Sequence, residues 1–155
     1  MIPSNIEAHL RQKHQGFEHH VHPEAMSAQA LAATEHVSGR RVAKPVVIRM
    51  AGDLALAVVA ASERLNLAAL EEATGVAAEL VSENEFAPRF EPCERGSEPP
   101  FALFGVPIFM DSKLEDEPVL LMPAGSHQDA VLLDTHEWMS CERAQPVANL
   151  GVAAS

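Results

Sequence analysis

Apolar residues fall into two rhythms along the chain, and the alternation between them outlines the fold. Ile6, His9, Leu10 and Lys13 recur at helical spacing, which predicts a first helix capped by Asn5, running to about His14 and stopped by Gly16. Phe17 to Pro23 alternates in part as a half-buried strand does, ended by Pro23. Ser27 then caps an alanine-rich helix carrying Ala28, Leu31, Ala32 and Glu35, closed by Ser38-Gly39. Val42 to Met50 and Leu54 to Ala61 are continuous Val, Ile and Leu runs separated by Ala51-Gly52-Asp53, a hairpin that should form the central sheet.

Asn66 and Gly75 bracket a further helix, and a short one starts after Ser82. From Ala87 to Pro107 proline and glycine are too dense for regular helix, which predicts a long ordered loop of the kind that carries function. Val106 to Met110, Pro118 to Met122 and Ala130 to Leu133 read as strands, the last two joined through Gly125-Ser126-His127-Gln128, and Thr135 opens a final helix. The segment from Ala144 to Ser155 is small and apolar without periodicity, and reads as a disordered or loosely packed tail. The fold class is α+β: one domain over 1–143 with its core at about 27–139, the tail at 144–155, and a curved or barrel-like, mostly antiparallel mixed sheet flanked by helices.

The chain has 155 residues, 47% of them hydrophobic and 21% charged. That length buries roughly 68–70% of the unfolded surface, so neither disulfide nor metal is needed to fold. Cys93 and Cys141 form no CxxC pair, which fits a reducing compartment. The longest apolar run is far short of the ~20 residues of a membrane helix, and Met1 to Glu7 lacks the layout of a signal peptide. The expectation is a cytoplasmic protein without membrane contact. A net charge of −11 argues against broad nucleic-acid binding and against DNA, and confines any RNA contact to a local patch.

Lys44 interrupts an apolar strand, where it must face solvent or sit beside an anion. Arg40, Arg41 and Arg49 add positive charge around the same strand. The stretch Glu91 to Phe101 suits a loop whose backbone amides approach a ligand, with Glu94 or Glu98 placed to orient an amine or simply solvated. His19, His20 and His22 invite a metal reading, with surface histidines as its rival. A Ser126-His127 nucleophile pair is excluded because neighbours on extended chain point apart. Cys93 follows proline in an acidic stretch that raises a thiol pKa, so no covalent protein nucleophile is expected.

Four features in order, between Ser27 and Met139, resemble the YbaK and prolyl-tRNA synthetase editing-domain family. They are Ser27 to Ala32 followed by Val42-Ala43-Lys44; Gly96-Ser97-Glu98-Pro99-Pro100-Phe101 as a GxxxP loop; Gly105 to Asp111 then Leu114; and Ala124-Gly125 before Ala130 to Leu133. The resemblance implies deacylation of mischarged aminoacyl-tRNA in trans, removing a small amino acid such as Ala, Cys or Ser, with no cofactor and no metal. It implies Lys44, Gly96 and Gly125 as catalytic, with the terminal adenosine near Lys44 and the ester carbonyl near the two glycine backbones. Arg41, Pro45, Ser97, Glu98, Pro100, Ser126 and His127 would bind substrate. Its partners would be the acceptor end of the tRNA and an aminoacyl-tRNA synthetase. Pro45 stands where relatives often carry a polar residue, and the histidine-rich segment is outside the pattern. The alternatives are a non-catalytic tRNA- or nucleotide-binding module with the same pocket, and a metal-dependent sensor using His19, His20 and His22.

Overall fold

The computed structural model describes residues 1–154; Ser155, the end of the tail, lies outside them. In chain order the elements are α1 Ser4–Lys13, β1 Glu18–Val21, α2 Ala28–Thr34, β2 Ala43–Met50, β3 Asp53–Ala60, β4 Glu63–Leu65, α3 Leu67–Thr74, β5 Ala78–Leu80, α4 Glu83–Phe86, β6 Ile108–Asp111, β7 Val119–Ser126, β8 Asp129–Asp134, α5 Thr135–Glu142, β9 Gln145–Val147 and β10 Gly151–Ala153. The strands form three sheets: β5-β2-β3-β6-β9, β1-β8-β7 and β10-β4. Pairing is antiparallel except for β3 with β6 and β6 with β9. The fold is mixed α+β, and the sheets do not close into a barrel.

The continuous apolar character of β3 has a simple cause: both of its faces are buried. Leu56, Val58 and Ala60 join the main core with Ile108 and Met110 of β6 and Leu120, Met122, Val131 and Leu133 of the three-stranded sheet. Ala55, Ala57 and Val59 point the other way, against Leu70 of α3, Phe109, Val147 and Leu150. The outer side of β7 and β8 is covered by α2, with Leu31 and Ala32 beside Leu121 and Ala130.

Local details depart from the sequence reading where a competing group takes over. Asn5 lies inside α1; the carbonyl of Pro3 accepts from Ile6 and Glu7 instead. Ser27 does cap α2 through the Ala30 amide, but the helix ends at Thr34, His36 takes a positive φ of 56°, and Ser38-Gly39 opens a 3-10 turn. Asn66 holds the cap position of α3, yet its side chain donates to the Asn149 carbonyl at 3.3 Å. That bond belongs to the largest correction. Residues 144–154 are not a loose tail: β9 extends the five-stranded sheet, β10 pairs with β4, and Leu150 is wholly buried. Strands this short carry too few residues to show a period, so their place is decided by the sheet edges they meet.

Candidate functional site

The loop from Glu91 to Phe101 folds back on the end of β7 and fixes one wall of a cavity. Glu94 N–H donates to Gly125 O at 3.0 Å and Gly125 N–H to Ser97 O at 2.8 Å. At its far end the Trp138 indole donates to the Pro100 carbonyl at 3.0 Å, and Ala102 N–H to the Glu142 carboxylate at 2.7 Å. The backbone of α2's lead-in passes so near that a Cβ on Gly96 would stand 2.8 Å from the Met26 carbonyl, and Gly96 itself has φ +88°. Only glycine meets both demands without strain.

Between this loop, β2, β7 and α2 lies a cavity of about 50 Å³. Of the residues predicted from sequence, Lys44, Pro45, Gly96, Ser97 and Ser126 line it. They come from three distant stretches of chain, and Ser97 is 2% exposed. The Lys44 amine is not free: it donates to the Glu63 carbonyl at 2.5 Å. Burial pushes its pKa down, and the nearby Glu63 charge offsets part of that. The Ser126 hydroxyl donates to Asp129 at 2.5 Å.

Other predicted residues stand elsewhere. Arg41 is exposed and faces Glu117 at 3.7 Å, and Arg49 pairs with Glu79 and Glu85. The positive charge around β2 is thus dispersed into surface ion pairs. Glu98 folds back onto its own loop, where both carboxylate oxygens accept from Gly96 N–H at 3.0 and 3.1 Å; burial raises its pKa. Gly125 is off the cavity, and its Cβ position is filled by Pro3 and Ile6 of the α1 region at 2.7–2.8 Å. With both glycine amides already committed, neither is an available oxyanion donor in this conformation. Pro100 serves through its carbonyl as the anchor for Trp138. His127 clamps the loop, its Nε2 bonding to Arg95 O at 2.6 Å and its backbone accepting from Ala25.

The sequence reading missed His22, Ala25, Ser27, Ala28, Leu31, Pro123 and Asp129 as cavity residues. His22 is 6% exposed, its Nδ1–H donates to Pro23 O at 2.7 Å, and its Nε2 has no hydrogen-bond partner among the described residues. The three histidines do not form a metal cluster: His19 bonds Asp129 and His20 bonds Glu18 and Glu35. Cys93 has its thiol pushed up to about 12 by burial and then by the Glu98 charge, as the sequence anticipates. A second cavity of about 480 Å³ is lined by Arg40, Ser62, Glu63, Lys113 and Glu117 among others, and Lys44 reaches its wall through the bond to Glu63.

The mixed α+β domain thus carries a small cavity with polar and apolar lining, walled by a glycine-proline loop and a strand lysine. Residues 22–141 match the aminoacyl-tRNA editing domain, and the chain belongs to that family. Among solved structures it is similar to a candidate trans-editing enzyme for prolyl tRNA synthetase, with TM-score 0.82 and 16% identity over 99% of this chain and 100% of that one. It is similar also to a hypothetical protein, TM-score 0.83 and 18% identity over 93% and 99%. A third is a scaffold protein used for computational epitope grafting, TM-score 0.82 and 18% identity over 96% of each chain. At these identities the likeness is one of fold. No curated protein matches the sequence. No helix among the described residues is long and apolar enough to cross a membrane.

Proposed function

We propose that this protein hydrolyses the ester of mischarged aminoacyl-tRNA in trans, removing a small amino acid such as alanine, cysteine or serine. The observation that carries the reading is the convergence of Lys44, Gly96, Ser97 and Ser126 on one cavity of about 50 Å³. A space of that size takes a few water-sized groups, which suits a one- or two-atom side chain and excludes a larger one by shape. The terminal nucleoside would then lie toward the larger cavity, where Arg40 and Lys113 stand among Glu63, Asp116 and Glu117 and Lys113 is already paired with Glu63 at 2.7 Å.

In this mechanism Lys44 leaves the Glu63 carbonyl and turns its charge to the ester or adjacent phosphate, taking over the electrostatic stabilisation that the committed glycine amides cannot give. His22 contributes the base. Its Nδ1–H is held by Pro23 O, which leaves the lone pair on Nε2 free to accept from the attacking water or from a ribose hydroxyl. An activated ester needs little more than such positioning, and the residues offer no competent nucleophile of their own. Pro45, Ser97 and Ser126 shape the walls.

Deacylation of tRNAs charged with alanine, cysteine, serine, threonine and proline, by wild type and Lys44→Ala, tests the reading. Selective hydrolysis that is lost in the variant supports it. No hydrolysis across the panel would replace it with the binding module.

A further inference from the structure

Away from the cavity, α1 and α5 bring two imidazoles and a carboxylate to one point. His14 follows the last turn of α1 in extended backbone, φ −118° and ψ 119°, so its ring swings round to meet that of His9. Both Nε2 atoms contact the same oxygen, Oε2 of Glu142, His9 at 2.7 Å. His14 and Glu142 side chains are fully buried, and His9 is 12% exposed. Phe101 packs against both rings, with centroids 5.2 and 5.6 Å away.

We propose that His9, His14 and Glu142 form a site for a borderline divalent cation of the zinc class. Two imidazoles and one carboxylate are a donor set that such cations favour, with a fourth position left for water along the exposed edge of His9. The three ligand atoms lie within 4.8 Å of one another. Tetrahedral ligands at ~2.0–2.1 Å from a metal stand roughly 3.3 Å apart. The 2.7 Å contact therefore opens by roughly half an ångström to admit the ion.

A second observation points to the same occupant. Coordination uses the Nε2 lone pair, so a neutral ligating imidazole carries its proton on Nδ1. The Nδ1 of His14 is buried and has no hydrogen-bond partner among the described residues, and it faces Glu137 Oε1 at 3.7 Å. With the proton on Nδ1, a shift of the partly exposed Glu137 side chain by somewhat under ~1 Å turns that contact into a carboxylate–histidine–metal relay, the usual outer support of a ligating histidine. In the hydrogen-bonded state the same nitrogen is an orphan, a cost the metal state removes. The remaining Glu142 oxygen is already oriented by Ala102 N–H at 2.7 Å, which ties the ion to the end of the Gly96 to Phe101 loop.

The test is titration of the chelator-treated full chain with Co²⁺ alone, followed by visible absorption, and by zinc competition. The expected result is one equivalent of cobalt with a four-coordinate nitrogen and oxygen spectrum and no thiolate charge-transfer band. Affinity should fall at least about tenfold in His9→Ala and in Glu142→Gln and stay unchanged in His20→Ala. Should the buried Glu142 variant fail to fold, His9→Ala, at the exposed rim, decides alone. Wild-type affinity in His9→Ala, a thiolate band from Cys93 or Cys141, or substoichiometric uptake by the wild type would each overturn the proposal.

Discussion

Gly125 N–H donates to the carbonyl of Ser97 at 2.8 Å, joining the end of β7 to the loop that walls the cavity. The bond places Ser97 but also consumes the amide, so Gly125 acts on the site by holding its wall. Its φ of +94° and the contacts at 2.7–2.8 Å that a Cβ would make with Pro3 and Ile6 give a direct expectation. Gly125→Ala should lose about 1–3 kcal/mol of stability, read as a lower midpoint in denaturant unfolding. An unchanged midpoint would show that α1 can move aside at no cost.

Lys44→Ala should lower deacylation by at least about tenfold while leaving the circular dichroism spectrum intact, since it removes a charge at a half-buried position. Turnover equal to wild type would remove Lys44 from the mechanism.

The pH dependence has a definite sign. Burial lowers the Lys44 pKa in the folded protein, so the unfolded chain binds more protons between the two values and stability rises with pH across that window. The folded protein meanwhile loses the charge at a pH where an ordinary lysine keeps it. Enzymatic deacylation, corrected for spontaneous ester hydrolysis, should therefore decline on the alkaline side ahead of ordinary lysine titration. Lys44→Arg, which holds its proton, should flatten that limb if it is active at all.

His22→Phe keeps a ring in the cavity wall and removes the free Nε2 acceptor. As the proposed base it should cut kcat by at least about tenfold with little change in KM. A loss confined to KM would make His22 a binding group only.

Cys93, with its thiol raised to about 12, should react with iodoacetamide at neutral pH roughly a thousandfold more slowly than a free cysteine. Labelling at the rate of the denatured chain would show that the loop opens readily.

Leu150 is wholly buried beneath β3. Leu150→Ala should cost about 2–5 kcal/mol, measured by thermal or denaturant unfolding, whereas a truly loose tail would tolerate it.

How much could be read before the structure depends on how local each feature is. The central hairpin was legible because eight-residue strands with both faces buried leave an uninterrupted apolar run, and Ala51-Gly52 supplies its turn. Ser27 and Gly75 likewise act on amides and torsions within a few residues of themselves. The cavity was legible in part: Lys44, Gly96 and Ser97 carry family motifs, but His22 looked like one histidine among several. Its distinction, a buried Nε2 with no partner, exists only once β1 has paired with β8 and the loop before α2 has met the turn between β7 and β8.

What the sequence by itself determined is therefore the α+β class, the order of the main elements and the lysine and GxxxP segments, because periodicity, capping and glycine torsions are short-range properties. The tertiary structure alone decided which groups face one another: the seating of residues 145–153 on sheet edges, the commitment of the Gly96 and Gly125 amides, the pairing of Arg41 and Arg49 with surface carboxylates, and the meeting of His9 and His14 with Glu142. Each of these joins atoms far apart in the chain, and a contact of that kind is set by packing and charge compensation in three dimensions, which leave no period in the sequence.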